Sequence, residues 1–221
     1  MKTFRPFVTL IAIGLLIALG TTATAQDAPS RSKSYNMKTL LGPDTEHGIF
    51  FAGTMNGTKI QEQDGLLLGG KLGWVIDHWF TVGFGGYGLT NPINLNSDPA
   101  TNSTQTLQMG YGGLYFEPRV LSEQAIHLAF PIIVGSGGAN LASNNDYFFN
   151  EVTNEWEPYT DQSDAFFVVE PGVELEINIA RNLRVGLGGS YRFVEGLNVN
   201  SLESDALDGI NAGVTMKIGV F

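Results

Sequence analysis

Three imidazoles, His47, His78 and His127, are the first residues of this 221-residue chain to weigh for catalysis. A serine nucleophile needs such a base within hydrogen-bond reach. His47 opens a strand-like segment and His78 lies in a short turn. His127 begins the stretch His127-Leu128-Ala129, with alanine where a same-face serine would be needed. No catalytic constellation is read from them. The chain has no cysteine, which removes thiolate nucleophiles, disulfides and a lipidated N-terminal cysteine. Its packing and hydrogen bonds must hold it unaided.

Carboxylates come next. Asp146, Glu151, Glu155, Glu157, Asp161 and Asp164 crowd the segment 138–164. Their spacing matches no EF-hand or repeat signature. They read as a solvated acidic loop, and no metal or cofactor is expected. The same loop holds Tyr147, Phe148, Phe149, Trp156 and Tyr159. Exposed aromatic clusters mark contact sites, so this loop is the candidate contact surface for an extracellular or envelope protein. The competing reading is a hairpin in which 144–152 and 155–159 pair around Thr153-Asn154.

A third set is Lys71, Glu117, Glu170, Glu174, Glu176, Arg184 and Arg192. Each lies on the polar phase of an alternating segment. In Leu183-Arg184-Val185-Gly186-Leu187, apolar residues take one face and the arginine the other. In 165–177, Phe167, Val169, Val173, Leu175 and Ile177 oppose Glu170, Glu174 and Glu176. Such period-2 alternation makes strands with one apolar face. If the polar face points inward, these seven form a charge-paired plug, since buried charges persist only when paired. An odd-length turn before Leu183 sets either Glu170 against Arg192 or Glu176 against Arg184. Inward Gly69, Gly73, Gly186 and Gly188 would leave room for water.

The elements positioning these residues are eight strands, expected near 48–58, 65–76, 79–90, 106–119, 125–137, 165–178, 182–194 and 208–221. Their connections alternate. Asp77-His78, 121–124 and 179–181 are tight; 91–105, 138–164 and 195–206 are long and polar; 59–64 is intermediate. An up-and-down barrel has this asymmetry, with short periplasmic turns and longer extracellular loops. The fold class expected is all-β: an eight-stranded antiparallel up-and-down transmembrane β-barrel over 47–221.

Lys2 and Arg5 precede an apolar run from Phe7 to Leu19, and Ala23-Thr24-Ala25 follows. This reads as a secretory signal peptide over 1–25. Residues 26–46 read as a flexible periplasmic lead. Loss of Lys2 and Arg5 leaves 12 − 2 = 10 basic against 22 acidic residues, a formal charge of −12. Nucleic acid is excluded as a partner, because phosphate binding needs a positive footprint.

The signal, strand spacing, Gly-aromatic strands and terminal Lys217-Ile218-Gly219-Val220-Phe221 resemble the small OmpA/OmpX-like eight-stranded outer-membrane barrels of Gram-negative bacteria. The resemblance covers about residues 47–221. It implies an outer-membrane location, lipid as a partner, and a structural or surface-interaction role. Rival roles are a narrow channel or transporter for small hydrophobic molecules, a lipid A-modifying enzyme, and a soluble exported barrel with its apolar face around a ligand. The chain departs from the family's usual ending. Phe221 is in phase with Gly219, Lys217 and Thr215, while Val214, Met216, Ile218 and Val220 form the apolar face. Either a bulge resets the register or Phe221 is a rim aromatic.

Overall fold

The computed structural model describes residues 45–98, 103–150, 152–198 and 205–221. The expected signal peptide and most of the lead lie outside the described residues. Ten strands follow in order: β1 His47–Ile60, β2 Gln63–Ile76, β3 Phe80–Leu89, β4 Ile93–Asp98, β5 Ser103–Val120, β6 Ile126–Ala129, β7 Ile132–Asn150, β8 Glu155–Ala180, β9 Leu183–Glu195 and β10 Gly209–Val220. All pairings are antiparallel.

Eight staves close into a ring. β1 pairs with β2, β2 with β3 and β3 with β5. β6 and β7 together form the next stave, followed by β8, β9 and β10. β10 returns to β1 over Ile49↔Val220 to Thr58↔Asn211. Closure leaves the wall no unpaired edge, as hydrocarbon demands of any spanning backbone.

The stave formed by β6 and β7 is interrupted at Phe130–Pro131 because proline has no N–H for the ladder. Its neighbours hold the gap shut. Phe130 N donates to Pro118 O at 2.9 Å, and Gly172 N donates to Pro131 O at 2.8 Å. The expected strand over 125–137 is therefore two strands in one stave.

The segment 138–164, read as a solvated loop or as a hairpin around Thr153-Asn154, is mostly strand and takes the hairpin form. β7 runs to Asn150 and β8 starts at Glu155, with Phe149↔Trp156, Phe148↔Glu157 and Tyr147↔Pro158 in register. The hairpin turns at Thr153-Asn154, where Asn154 has φ 59°. Aromatic and β-branched residues favour this pairing, which also satisfies main-chain groups that a long loop would leave to water. The 91–105 connection likewise contains β4, paired to β5 through Ile93↔Leu107. The 59–64 connection narrows to Gln61-Glu62, both with positive φ (47° and 65°). That two-residue turn matches the twist of the flanking strands, and Asp77-His78 shows the same positive φ (50° and 60°) within a three-residue turn closed by Ile76↔Phe80.

The apolar strand faces point outward. Leu68, Leu72, Phe84, Leu114, Leu175, Leu187, Val214 and Ile218 are all exposed. Trp74 and Trp79 join this belt near the periplasmic end, where aromatics mark the bilayer interface. β1, whose faces the sequence left open, divides sharply: Phe50 is 1% exposed and Phe51 70%. This arrangement overturns the soluble-barrel alternative with an inward apolar face.

Candidate functional site in the barrel lumen

Alternation fixes which side chains enter the lumen, and antiparallel register fixes their height. All seven charges singled out in the sequence are buried there: Lys71, Glu117, Glu170, Glu174, Glu176, Arg184 and Arg192. Arg119, Lys217 and His127 join them. Among the described residues, four buried carboxylates thus face five buried Lys/Arg cations.

Most of these charges occupy the periplasmic half, centred on Glu176. His127 Nε2 lies 2.7 Å from Glu176 Oε2. Arg119 Nε stands 3.4 Å and Arg184 Nη1 3.9 Å from the same oxygen. Lys217 Nζ donates to Glu176 Oε1 and, at 2.5 Å, to Glu117 Oε2. Arg119 Nη2 donates to Glu117 Oε1 at 2.5 Å, and Tyr115 OH donates to Glu117 Oε2. Lys71 Nζ reaches Glu174 Oε2 at 3.7 Å. These bonds link six staves across the lumen.

An aromatic floor lies beneath. Phe221 stacks on Phe50 with ring centroids 5.7 Å apart, and the Arg184 guanidinium sits 4.0 Å from the Phe221 ring centre. The β1–β10 register runs without a shift. No bulge resets the end of the chain, and Phe221 turns into the lumen to pack on Phe50.

A second, smaller polar cluster sits higher. Glu170 accepts from Tyr111 OH (2.5 Å), Ser190 Oγ (2.5 Å) and Asn211 Nδ2 (3.0 Å). The pairs Val169↔Phe193 and Gly172↔Ser190 set Glu170 level with Arg192, the first of the two registers expected. Arg192 nevertheless turns toward the extracellular mouth. Its Nε donates to Leu207 O at 2.7 Å, and Nη1 to Asn211 Oδ1 at 3.4 Å. Asn211 therefore bridges acid and base. The other expected pair, Glu176 against Arg184, meets diagonally between the neighbouring staves β8 and β9, since Glu176 registers with Gly186 and Arg184 with Asn178.

The upper lumen is apolar, which the polar-plug expectation missed. Ile60, Leu67, Ile93, Leu107, Leu141, Leu197 and Leu207 are buried together. The β9–β10 connection supplies Leu197 and Leu207 as a cap. Asp208 Oδ1 accepts from Val194 N at 2.7 Å, and Asp164 Oδ2 from Asn198 N at 2.6 Å. These bonds pin both arms of the connection. A signal existed in Leu66-Leu67-Leu68: three consecutive leucines on an alternating strand must send one inward.

The inward glycines do not leave the space expected. A side chain at Gly73 would meet Phe50 Cε1 at 2.6 Å, and one at Gly186 would strike the Glu174 carboxylate. Tyr87 fills the space at Gly69, and the β8 backbone at Gly188. Small residues on one stave accommodate large ones from its neighbours. Between the two polar clusters lies a cavity of about 30 Å³, bordered by Lys71, Tyr87, Glu170, Glu174, Ser190 and Asn211. That exceeds the roughly 10–15 Å³ of such space that one water needs.

The histidines are dispersed. His47 lies against Trp74, with ring centroids 5.5 Å apart, and His78 Nε2 is 2.9 Å from Glu46 Oε2. His127, weighed first as a catalytic base, contacts Gln124 O and Glu176. Tyr147, Phe148, Phe149, Trp156 and Tyr159 all lie on the β7–β8 hairpin. Among the described residues, no three potential metal ligands gather.

No family model matches the sequence, and no curated protein matches it significantly. Solved structures do match. Neisserial surface protein A (NspA) covers 79% of this chain and 97% of its own, with 10% identity and a TM-score of 0.50. A major outer membrane protein from Thermus thermophilus covers 80% of this chain and 99% of its own, with 14% identity and a TM-score of 0.47. OprG from Pseudomonas aeruginosa covers 78% and 95%, with 10% identity and a TM-score of 0.42. The closed ring and apolar outer belt agree with the likeness to NspA. The chain therefore has the fold of the small eight-stranded outer-membrane barrels, with the lipid-facing belt that such a location requires.

Proposed function

We propose that this protein is a non-conducting surface scaffold of the outer membrane, whose β7–β8 hairpin contacts a protein partner outside the cell or in the envelope. The observation that supports this reading is the length of that hairpin. β8 begins at Glu155, twelve residues before its outermost pair with β9, Phe167↔Glu195. At about 3.4 Å per residue the extension spans about 40 Å. It presents Tyr147, Phe148, Phe149, Trp156 and Tyr159 within one ribbon, and Tyr, Trp and Phe are the residue types enriched where interfaces gain most energy. Below it, ion pairs and apolar side chains fill the lumen, which argues for a contact role over transport.

A photo-crosslinking residue placed at Phe149 or Tyr159 in intact cells tests the reading. The expected result is a discrete protein adduct from either position and none from Glu123 in the opposite turn. Equal adducts from all three sites, or none from the hairpin under any growth condition, would refute it.

A further inference from the structure

Near the extracellular end of the outer wall, a groove interrupts the belt of bulky apolar side chains. Pairing sets Tyr191 beside Ile210 and Lys59 beside Asp64. The ladder Gly57↔Ala212, Thr58↔Asn211 brings Lys59 level with Ile210. Tyr191, Ile210, Lys59 and Asp64 thus form one row across four staves, and all four are exposed. The next row toward the periplasm is Gly189, Ala212, Gly57 and Leu66. Beyond it, Leu187, Val214, Met55 and Leu68 restore bulk. The result is a groove of about 660 Å³, bordered by Gly57, Lys59, Asp64, Tyr191, Ile210 and Ala212. Its walls are mostly apolar, and it lies just below the Gln61-Glu62 turn at the extracellular end.

Charge identifies the occupant. The extracellular segments 59–64, 90–105, 138–164 and 195–208 carry thirteen carboxylates and a single base, Lys59. No described residue forms an ion pair with Lys59. It stands at the head of an apolar groove, two residues from the Gln61-Glu62 turn. We propose that this groove binds lipid A of the outer leaflet, with one acyl chain over Gly57 and Ala212 and a phosphate at Lys59. Tyr191 and Ile210 flank the chain. Asp64 on the far side of Lys59 opposes the phosphate and weakens the site.

Native mass spectrometry of the purified barrel, with lipid A or dephosphorylated lipid A as probe, tests the assignment. The wild type should retain lipid A in preference to the dephosphorylated form. Lys59→Gln should weaken retention about fivefold, the effect of one cation near an anionic surface. Asp64→Asn should strengthen it, and Ala212→Trp should abolish it by filling the groove. Gly57→Leu provides a second filling variant, since its side chain would enter open space with only Ala212 O nearby, at 3.8 Å. Altered electrophoretic mobility on boiling certifies the fold of each variant. Unchanged retention in Lys59→Gln or in both filled variants, or equal retention of the two probes, would overturn the proposal.

Discussion

At the scale of single residues, Glu176 has the most at stake. Its carboxylate meets His127, Arg119, Arg184 and Lys217 inside the wall, so its loss leaves several cations without their shared anion. Removing one partner of a buried charge set costs about 3–5 kcal/mol, against near zero for an exposed pair. Glu176→Gln should lower the unfolding free energy in lipid vesicles by that order and its midpoint with it, while Glu46→Gln, at the exposed His78 contact, should leave both unchanged. Equal midpoints for both variants would mean that the lumen charges are solvated. Much of this network was legible in the sequence. Strand parity sends Glu170, Glu174 and Glu176 to one face, and Arg184 and Arg192 to one face. Arg119 could have been added on the same grounds, lying two residues beyond Glu117. Lys217 shared the phase of Phe221 and needed only that phase to be taken as inward. What parity could not supply is reach across the lumen. Arg192 and Glu170 are level, yet they are joined through Asn211, because a long side chain chooses its partner in three dimensions.

At the scale of elements, the apolar alternation and tight turns determine a closed wall, and labelling of β9 tests its facing. Cysteines at Val185 and Leu187 should react with lipid-soluble thiol reagents and resist water-soluble ones. Cysteines at Arg192 and Ser190 should show no labelling from lipid. No native thiol interferes. The reverse pattern would turn the wall inside out. The strands were readable because their period is local. The hairpin over Asn150 and Glu155 was harder, because acidic and polar residues suggest a loop until their cross-strand partners are known. Whether such a segment pairs depends on a neighbouring segment, and β7 and β8 satisfy each other's main chain beyond the bilayer. The division of one stave by Pro131 was also hidden. Proline within an alternating run signals an irregularity, but only Pro118 O and Gly172 N show how the ladder crosses it.

At the scale of the whole molecule, eight staves enclose a lumen that side chains can fill, and this chain fills it in layers. Phe50 and Phe221 form the floor, the ion-pair network lies above them, and the Glu170–Asn211–Arg192 cluster follows. Leucines capped by Leu197 and Leu207 close the extracellular mouth. A continuous water path would have to break charge-assisted bonds and also wet an apolar layer. The sequence announced the charged layer and not the apolar one, since its leucines lie apart on β2, β5, β7 and the β9–β10 connection and meet only on closure. The most direct test is conductance across a planar bilayer holding the purified, folded barrel. The filled lumen predicts no stable unitary current at neutral pH, and its appearance when Leu207 and Leu197 are replaced by glycine together with Glu176→Gln. Reproducible unitary currents from the unmodified protein would contradict the account.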